Sequence, residues 1–176
     1  CPELTDYLVN NIYSTYLYNL KNFGIRNEEL VVSVGANAKM NEFAAIMGLC
    51  NLKHIDIAIK DRKRVSEKYS EALKDVVGIR QLSYDENTES NYAYYPIIVE
   101  DDYPISRDDL YNKLMENDIY ARKYFYPITA DQACFKNRYK DNNLNVARDT
   151  AKKVLLLPIF EGLKDEDIDN IVKLLI

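Results

Sequence analysis

The chain has 176 residues, of which 47% are apolar and 29% are charged, and its formal net charge is −5. This composition is that of a soluble globular domain with a packed core, and the weak acidic balance gives no support for nucleic-acid binding. Five scattered glycines and a single histidine exclude a glycine-rich phosphate loop and a His-rich metal cluster.

The first predicted element is a helix from Leu4 to Phe23. Its apolar residues recur every four positions, which is helical spacing, and Gly24 is a suitable stop. An irregular connection, residues 25–34, leads to the segment Gly35-Ala-Asn-Ala-Lys-Met-Asn-Glu42.

A single long helix is predicted over about residues 41–76 and ends before Gly78. At 1.5 Å per residue it would be roughly 50 Å long. Its first part, residues 43–52, is apolar nearly all round, as in a buried helix, whereas residues 62–74 form an exposed amphipathic surface. Such a helix would connect two domains or two subunits.

Strands and helices then alternate. Strands are predicted at residues 92–99, 120–126 and 155–157, and helices after Ser106, around 146–154 and from Asp165, with an irregular loop at 129–143. Few strands among helices indicate a small α+β domain with a sheet covered on one side.

The cysteines indicate the cell compartment. Cys1, Cys50 and Cys134 are odd in number and form no Cys-x-x-Cys pair, which favours reduced thiols in a cytoplasmic protein. The longest apolar run, residues 154–160, is interrupted by Pro158 and is too short to span a bilayer, so no membrane partner is expected.

The most promising binding residues are Asn37 and Lys39, at the start of the long helix. Free backbone N–H groups and the helix dipole favour an anion there, and an amide donor with an ammonium group suits phosphate. The alternative is helix capping by Asn37 or Asn41 with a solvated Lys39, and the local sequence alone favours it.

A second candidate is the segment 122–127, where two cations and three aromatic rings could line a pocket for a sugar or a phosphorylated ligand. The alternative is an ordinary strand, which the residues alone favour. The acidic pairs and triplet (Asp101-Asp102, Asp108-Asp109 and 165–167) lie at turns or helix starts, where solvated carboxylates are expected. No catalytic residue and no metal ligand are therefore predicted.

The run Gly35 to Leu49 resembles the DegT/DnrJ/StrS-type sugar aminotransferases, in which Gly-x-Asn-x-(Arg or Lys)-(Met or Leu) leads into a long helix. Further segments resemble the family in order and approximate spacing: 19–24, Tyr124-Phe-Tyr-Pro127 with Cys134-Phe135, 156–158 and 162–168. One departure is Thr129, where many members have a histidine.

The resemblance implies the C-terminal small domain of a type I aminotransferase dependent on pyridoxal 5'-phosphate, with a small, mostly antiparallel sheet. Residues 1–34 would be a helical connection from a larger domain, and residues 35–176 the C-terminal domain. It further implies a homodimer, a nucleotide-linked keto-deoxy-sugar substrate and glutamate as amino donor. By the same resemblance Asn37 reaches the cofactor phosphate of the partner subunit, Lys39 lies close by, and Tyr124 and Tyr126 neighbour the substrate.

In the family, the Schiff-base lysine and the acidic partner of the cofactor's ring nitrogen precede the segment that 19–24 resembles, and residues 1–18 contain no lysine. We therefore expect the chain alone to be inactive. The motif Ala-Lys-Met-Asn-Glu favours a 4-keto rather than a 3-keto sugar as the substrate. The alternative to an enzyme fragment is a non-catalytic domain used for dimerisation or binding.

Overall fold

The computed structural model describes residues 2–27, 30–83, 85, 87–132, 134–135 and 143–176, with the backbone alone at 2–10 and 27. Cys1 and part of the predicted loop 129–143 lie outside these residues. The chain divides into two compact units, Cys1–Lys53 and His54–Ile176. This boundary falls inside the predicted long helix rather than near residue 34.

The first unit begins with helix α1, Pro2–Lys21, in agreement with the predicted first helix. Gly24 follows with φ +75°, and a Cβ there would lie 1.7 Å from the Ser33 carbonyl oxygen, so only glycine fits. The connection after it contains an antiparallel pair of short strands, β1 (Ile25–Asn27) and β2 (Leu30–Val31), which the sequence pattern did not predict.

The predicted single helix over 41–76 is two helices, α2 (Glu42–Leu52) and α3 (Ile55–Leu73). The Lys53 N–H donates to the Cys50 carbonyl, 3.2 Å away, so the last turn of α2 tightens. His54, with φ −116° and ψ −4°, is the N-cap residue of α3 and separates the two helices. No glycine or proline marks this break, which is why apolar spacing did not detect it.

The expectation of a buried first half is also wrong for this chain, because α2 has no buried residue. Phe43 is 84% exposed and Met47 60% exposed. The apolar residues that surround α2 on all sides are therefore available to a partner surface.

Within the described residues, the second unit contains α3, a three-stranded antiparallel sheet, three further α-helices and a short 3-10 helix, Thr129–Asp131. The sheet has the order β3-β4-β5. The strands are β3 (Ile79–Gln81), β4 (Tyr95–Val99) and β5 (Val154–Leu157), and the helices are α4 (Arg107–Met115), α5 (Asn145–Lys153) and α6 (Asp165–Leu175). Strand β4 pairs Ile97 with Gln81 on one side and with Leu155 on the other.

The hydrophobic core lies on one face of this sheet. Alternate sheet residues, such as Ile97 and Leu155, are fully buried and cluster with buried side chains of α3, α4 and α6. Ile98 and Leu156, which face the other way, are also buried, and α5 contacts β4. The sheet is thus covered on both faces at its centre, not on one side as predicted.

Two strand predictions change. The segment 120–126 is not a strand: it has one isolated antiparallel bridge, between Arg122 and Leu156, and then turns. The predicted strand 92–99 starts only at Tyr95. Before it, the Ser90 Oγ and Asn91 Oδ1 accept hydrogen bonds from backbone N–H groups two residues on, which competes with strand pairing.

Candidate functional site

The segment 35–41 carries the predicted phosphate-binding residues, and the end of α1 fixes its backbone. Asn37 forms an antiparallel bridge with Asn22, and the Ala38 N–H donates to the Lys21 carbonyl at 2.9 Å. Asn37 and Lys39 are exposed and lie just before α2, at the entry to the helix, as the sequence predicted.

The N-cap of α2 is Asn41. Its Oδ1 accepts a hydrogen bond of 2.8 Å from the Ala44 N–H. The Asn37 side chain makes no hydrogen bond to any residue that the structure describes. Of the two capping residues considered from the sequence, Asn41 has that role, and the Asn37 amide stays available to a ligand.

Lys39 is equally uncommitted. Its Nζ lies 5.3 Å from the centroid of the Phe23 ring, and no carboxylate of the described residues is within ion-pair distance. An amide donor and an ammonium group therefore lie two residues apart on a fixed, exposed backbone. That donor set fits a phosphate group.

The second predicted pair, Tyr124 and Tyr126, belongs to the other unit. The Tyr124 ring lies 5.2 Å from the Tyr94 ring, and the two hydroxyl oxygens are 3.3 Å apart. This hydrogen bond, with partial desolvation, raises the pKa of Tyr124. Tyr94 was missed from the sequence, because it lies in what was predicted to be an ordinary strand.

Tyr126 packs on a buried cation. The Arg107 guanidinium carbon lies 4.9 Å from the Tyr126 ring centroid, and Arg107 is only 4% exposed. Its Nη1 donates to the carbonyls of Ala151 (3.1 Å) and Val154 (2.9 Å), where α5 passes into β5. Tyr126 is therefore held by cation–π contact with a side chain that also anchors the sheet.

Asp108 links this cation to the aromatic segment. It accepts a hydrogen bond from the Arg107 Nε at 2.9 Å and pairs with the Lys123 Nζ at 2.6 Å. The contact with Lys123 is the main reason that the pKa of Asp108 lies below its usual range. The sequence suggested only a solvated carboxylate at a helix start, since Lys123 is distant along the chain.

A cleft of about 640 Å³ opens beside Tyr94 and Arg122. The side chains of Tyr120 and Phe160 also line it, together with the loop that follows β5. It is the right size for a small organic ligand.

The described residues contain no cluster of metal-binding side chains. Within the same residues, no helix combines the length and apolar character that crossing a bilayer requires. Cys50 and Cys134 are both free thiols and exposed.

Known proteins resemble this chain over nearly its whole length. A dTDP-4-amino-4,6-dideoxy-D-glucose transaminase from Escherichia coli is 42% identical over 159 residues, which is 89% of this chain and 43% of that protein. The enzyme of the same name from Shigella dysenteriae is 39% identical, over 87% of this chain and 42% of that protein. The chain thus spans about two fifths of the length of these relatives.

Solved structures also resemble this chain over most of its length. The structure of DesI in the presence of its TDP-sugar product matches with a TM-score of 0.80 and 28% identity, over 90% of this chain and 40% of that one. S. venezuelae DesV, at 20% identity, shows the same fold with a TM-score of 0.81, over 92% of this chain and 42% of that one. The predicted α+β domain of an aminotransferase is confirmed. The DegT/DnrJ/EryC1/StrS aminotransferase family model matches residues 8–176, and the chain belongs to that family.

Proposed function

We propose that this chain is part of a cytoplasmic enzyme that transfers an amino group from glutamate to a nucleotide-linked keto-deoxy-sugar. The observation that carries the proposal is the 42% identity with a transaminase whose name specifies a dTDP-linked 4-amino sugar. The name of this relative also supports amination at the 4-position of the sugar, which the motif at residues 35–42 favours. The product would be an amino sugar for polysaccharides or glycosylated metabolites.

The residues at 37–39 fit the phosphate of pyridoxal 5'-phosphate. The cofactor, when bound, supplies the electron sink that transamination requires. Asn37 would donate its amide to the phosphate, and Lys39 would add positive charge beside it. In a homodimer these side chains would serve the partner subunit's cofactor, and the exposed apolar residues of α2 support such an interface.

Tyr124 and Tyr126 would bind and orient the sugar. The Tyr124 hydroxyl is held by the Tyr94 hydroxyl, and its oxygen can accept a hydrogen bond from a sugar hydroxyl. The Tyr126 ring is fixed by Arg107 and offers an apolar face with a polar tip. The lysine that binds the cofactor covalently and the acidic residue that pairs with the cofactor's ring nitrogen would lie in another part of the enzyme. That part corresponds to the remaining length of the relatives.

The test is the reverse reaction of the full-length enzyme. Incubation with dTDP-4-amino-4,6-dideoxy-D-glucose and 2-oxoglutarate should yield glutamate, and the 176-residue chain alone should yield none. A full-length protein that carries the cofactor but forms no glutamate from this or another 4-amino nucleotide sugar would contradict the proposal. It would favour the alternative of a non-catalytic domain.

A further inference from the structure

A nucleotide-linked sugar carries two phosphates, and most cations beside the aromatic segment 122–127 are unable to bind them. Arg107 is buried and pairs with Asp108, and Lys123 pairs with the same carboxylate at 2.6 Å. Arg148 is held by Asp131 at 2.8 Å. Each of these three side chains already has a carboxylate partner within the protein.

Arg122 differs from them. Its side chain is exposed, and it makes no ion pair with any carboxylate of the described residues. Its backbone is fixed, because its N–H and carbonyl form hydrogen bonds of 3.0 and 2.9 Å with Leu156. The guanidinium also lies close enough to Tyr124 to act electrostatically on that hydroxyl. It is thus a positioned cation that has no charge partner among the described residues and lies next to a proposed substrate residue.

The cleft described above lies beside Arg122. Arg122 lines it together with the rings of Tyr94, Tyr120 and Phe160, and flat aromatic surfaces are where a nucleobase stacks. Two carboxylates, Asp118 and Asp167, also line the cleft and would repel phosphate. Asp118 lies at the opposite end of the segment 118–122 from Arg122, so positive charge is confined to the end nearest Tyr124.

We propose that Arg122 binds the diphosphate of the nucleotide sugar and that the adjoining cleft receives the nucleoside, with the sugar directed towards Tyr124 and Tyr126. A guanidinium suits this role because its planar donors match phosphate oxygens in pairs. The inference rests on the proposed function, since it assumes a nucleotide-linked substrate.

The experiment is calorimetric titration of the full-length enzyme with thymidine, thymidine monophosphate and thymidine diphosphate. Wild-type enzyme should bind the diphosphate more tightly than the nucleoside. Arg122→Gln should weaken diphosphate binding by roughly 10- to 100-fold and leave thymidine binding unchanged, because only a charge-assisted contact is lost. Arg122→Lys should retain part of the preference.

Arg80→Gln is the matched control. Arg80 lies on β3, at the other edge of the sheet, and is also an exposed arginine, although it forms an ion pair with Glu100 at 2.7 Å. The Arg80→Gln enzyme should bind all three compounds with the affinity of the wild type. Equal diphosphate affinity in wild type and Arg122→Gln would overturn the inference alone. Wild-type enzyme that binds none of the compounds would instead count against the nucleotide-sugar substrate, and the inference would fall with it.

Discussion

Asn37 and Asn41 lie in one short segment but have different surroundings. Asn41 caps α2 through its bond to the Ala44 N–H, whereas the Asn37 side chain has no hydrogen-bond partner among the described residues. Loss of the first should therefore affect folding, and loss of the second should affect ligand binding.

In the full-length enzyme, Asn37→Ala should weaken pyridoxal-phosphate affinity about 10- to 100-fold, because one hydrogen bond to a charged group is lost. Asn37→Asp should be worse, since it opposes a carboxylate to the phosphate. Fluorescence titration of the cofactor measures both variants. Asn41→Ala is the control: it should lower stability by about 0.5–2 kcal/mol, the usual value of an N-cap, with cofactor affinity retained. An Asn37→Asp enzyme with unchanged affinity would end the phosphate assignment.

Arg107→Met should destabilise the second unit. Its guanidinium is buried and serves the carbonyls of Ala151 and Val154, which the variant leaves without partners. Each unsatisfied buried group costs about 1–3 kcal/mol, so a loss of at least about 2 kcal/mol is expected in urea unfolding. Arg80→Gln, which breaks an exposed ion pair, should change stability by less than about 1 kcal/mol. Similar stabilities of the two variants would contradict a structural role for Arg107.

At the residue scale, the sequence predicted which residue types form the site but not their partners. Asn37, Lys39, Tyr124 and Tyr126 came from motif resemblance, and their roles remain predictions. Tyr94 and Arg107 could not be predicted, because they reach the aromatic segment only through the fold. Local sequence carries no signal for such contacts.

Among the elements, helices with strong caps or acidic first turns were predicted correctly. Ser106 is the N-cap of α4, and its Oγ accepts a hydrogen bond from the Asp109 N–H. Helix α6 starts at Asp165, as predicted. The errors lie where a single bond decides the outcome, as at Lys53, where the predicted single helix breaks without a glycine or proline. The segment 120–126 has a strand-like composition, but tertiary pairing with β5 is limited to Arg122.

Glu100, which follows β4, joins two elements and gives a pH-dependent prediction. Arg80, from β3, and Lys153, from α5, both donate to its carboxylate, and the bond from Arg80 is the main reason that its pKa is lowered. A carboxylate with a depressed pKa stabilises the folded state above its unfolded pKa, near 4.3, and this contribution disappears as pH falls through the folded value.

Glu100→Gln should therefore be less stable than wild type at pH 7 and at pH 5.5, and the difference in stability should become smaller at pH 3. Urea unfolding at the three pH values measures the difference. A gap that persists undiminished at pH 3 would show that the ion pairs with Arg80 and Lys153 are not its source.

For the whole molecule, the two units differ in how much core they contain. Every buried apolar side chain among the described residues lies in the second unit, from Val65 onwards. The first unit instead exposes large apolar side chains, such as Met40 at 73% and Phe43 at 84%. Stability and association are thus assigned to different parts of the chain.

A protein that consists of His54–Ile176 alone should accordingly fold and unfold cooperatively, because it retains the buried cluster. Residues 1–53 alone should not, because none of the apolar side chains described in this segment is buried, and such a short segment cannot offset its conformational entropy. Circular dichroism during thermal unfolding distinguishes the two. A non-cooperative melt of the longer piece would mean that its core depends on the first unit.

The single bridge between Arg122 and Leu156 also bears on solubility. Strand β5, Val-Leu-Leu-Leu, is the last strand of its sheet, and every residue in it is buried. An apolar strand with free N–H and carbonyl groups along its outer side is a template for amyloid-like stacking of copies of the chain. Arg122 occupies that outer side at Leu156 with two backbone hydrogen bonds and a charged side chain. The segment that carries the proposed substrate tyrosines therefore also protects the outer edge of β5 from pairing with other copies of the chain.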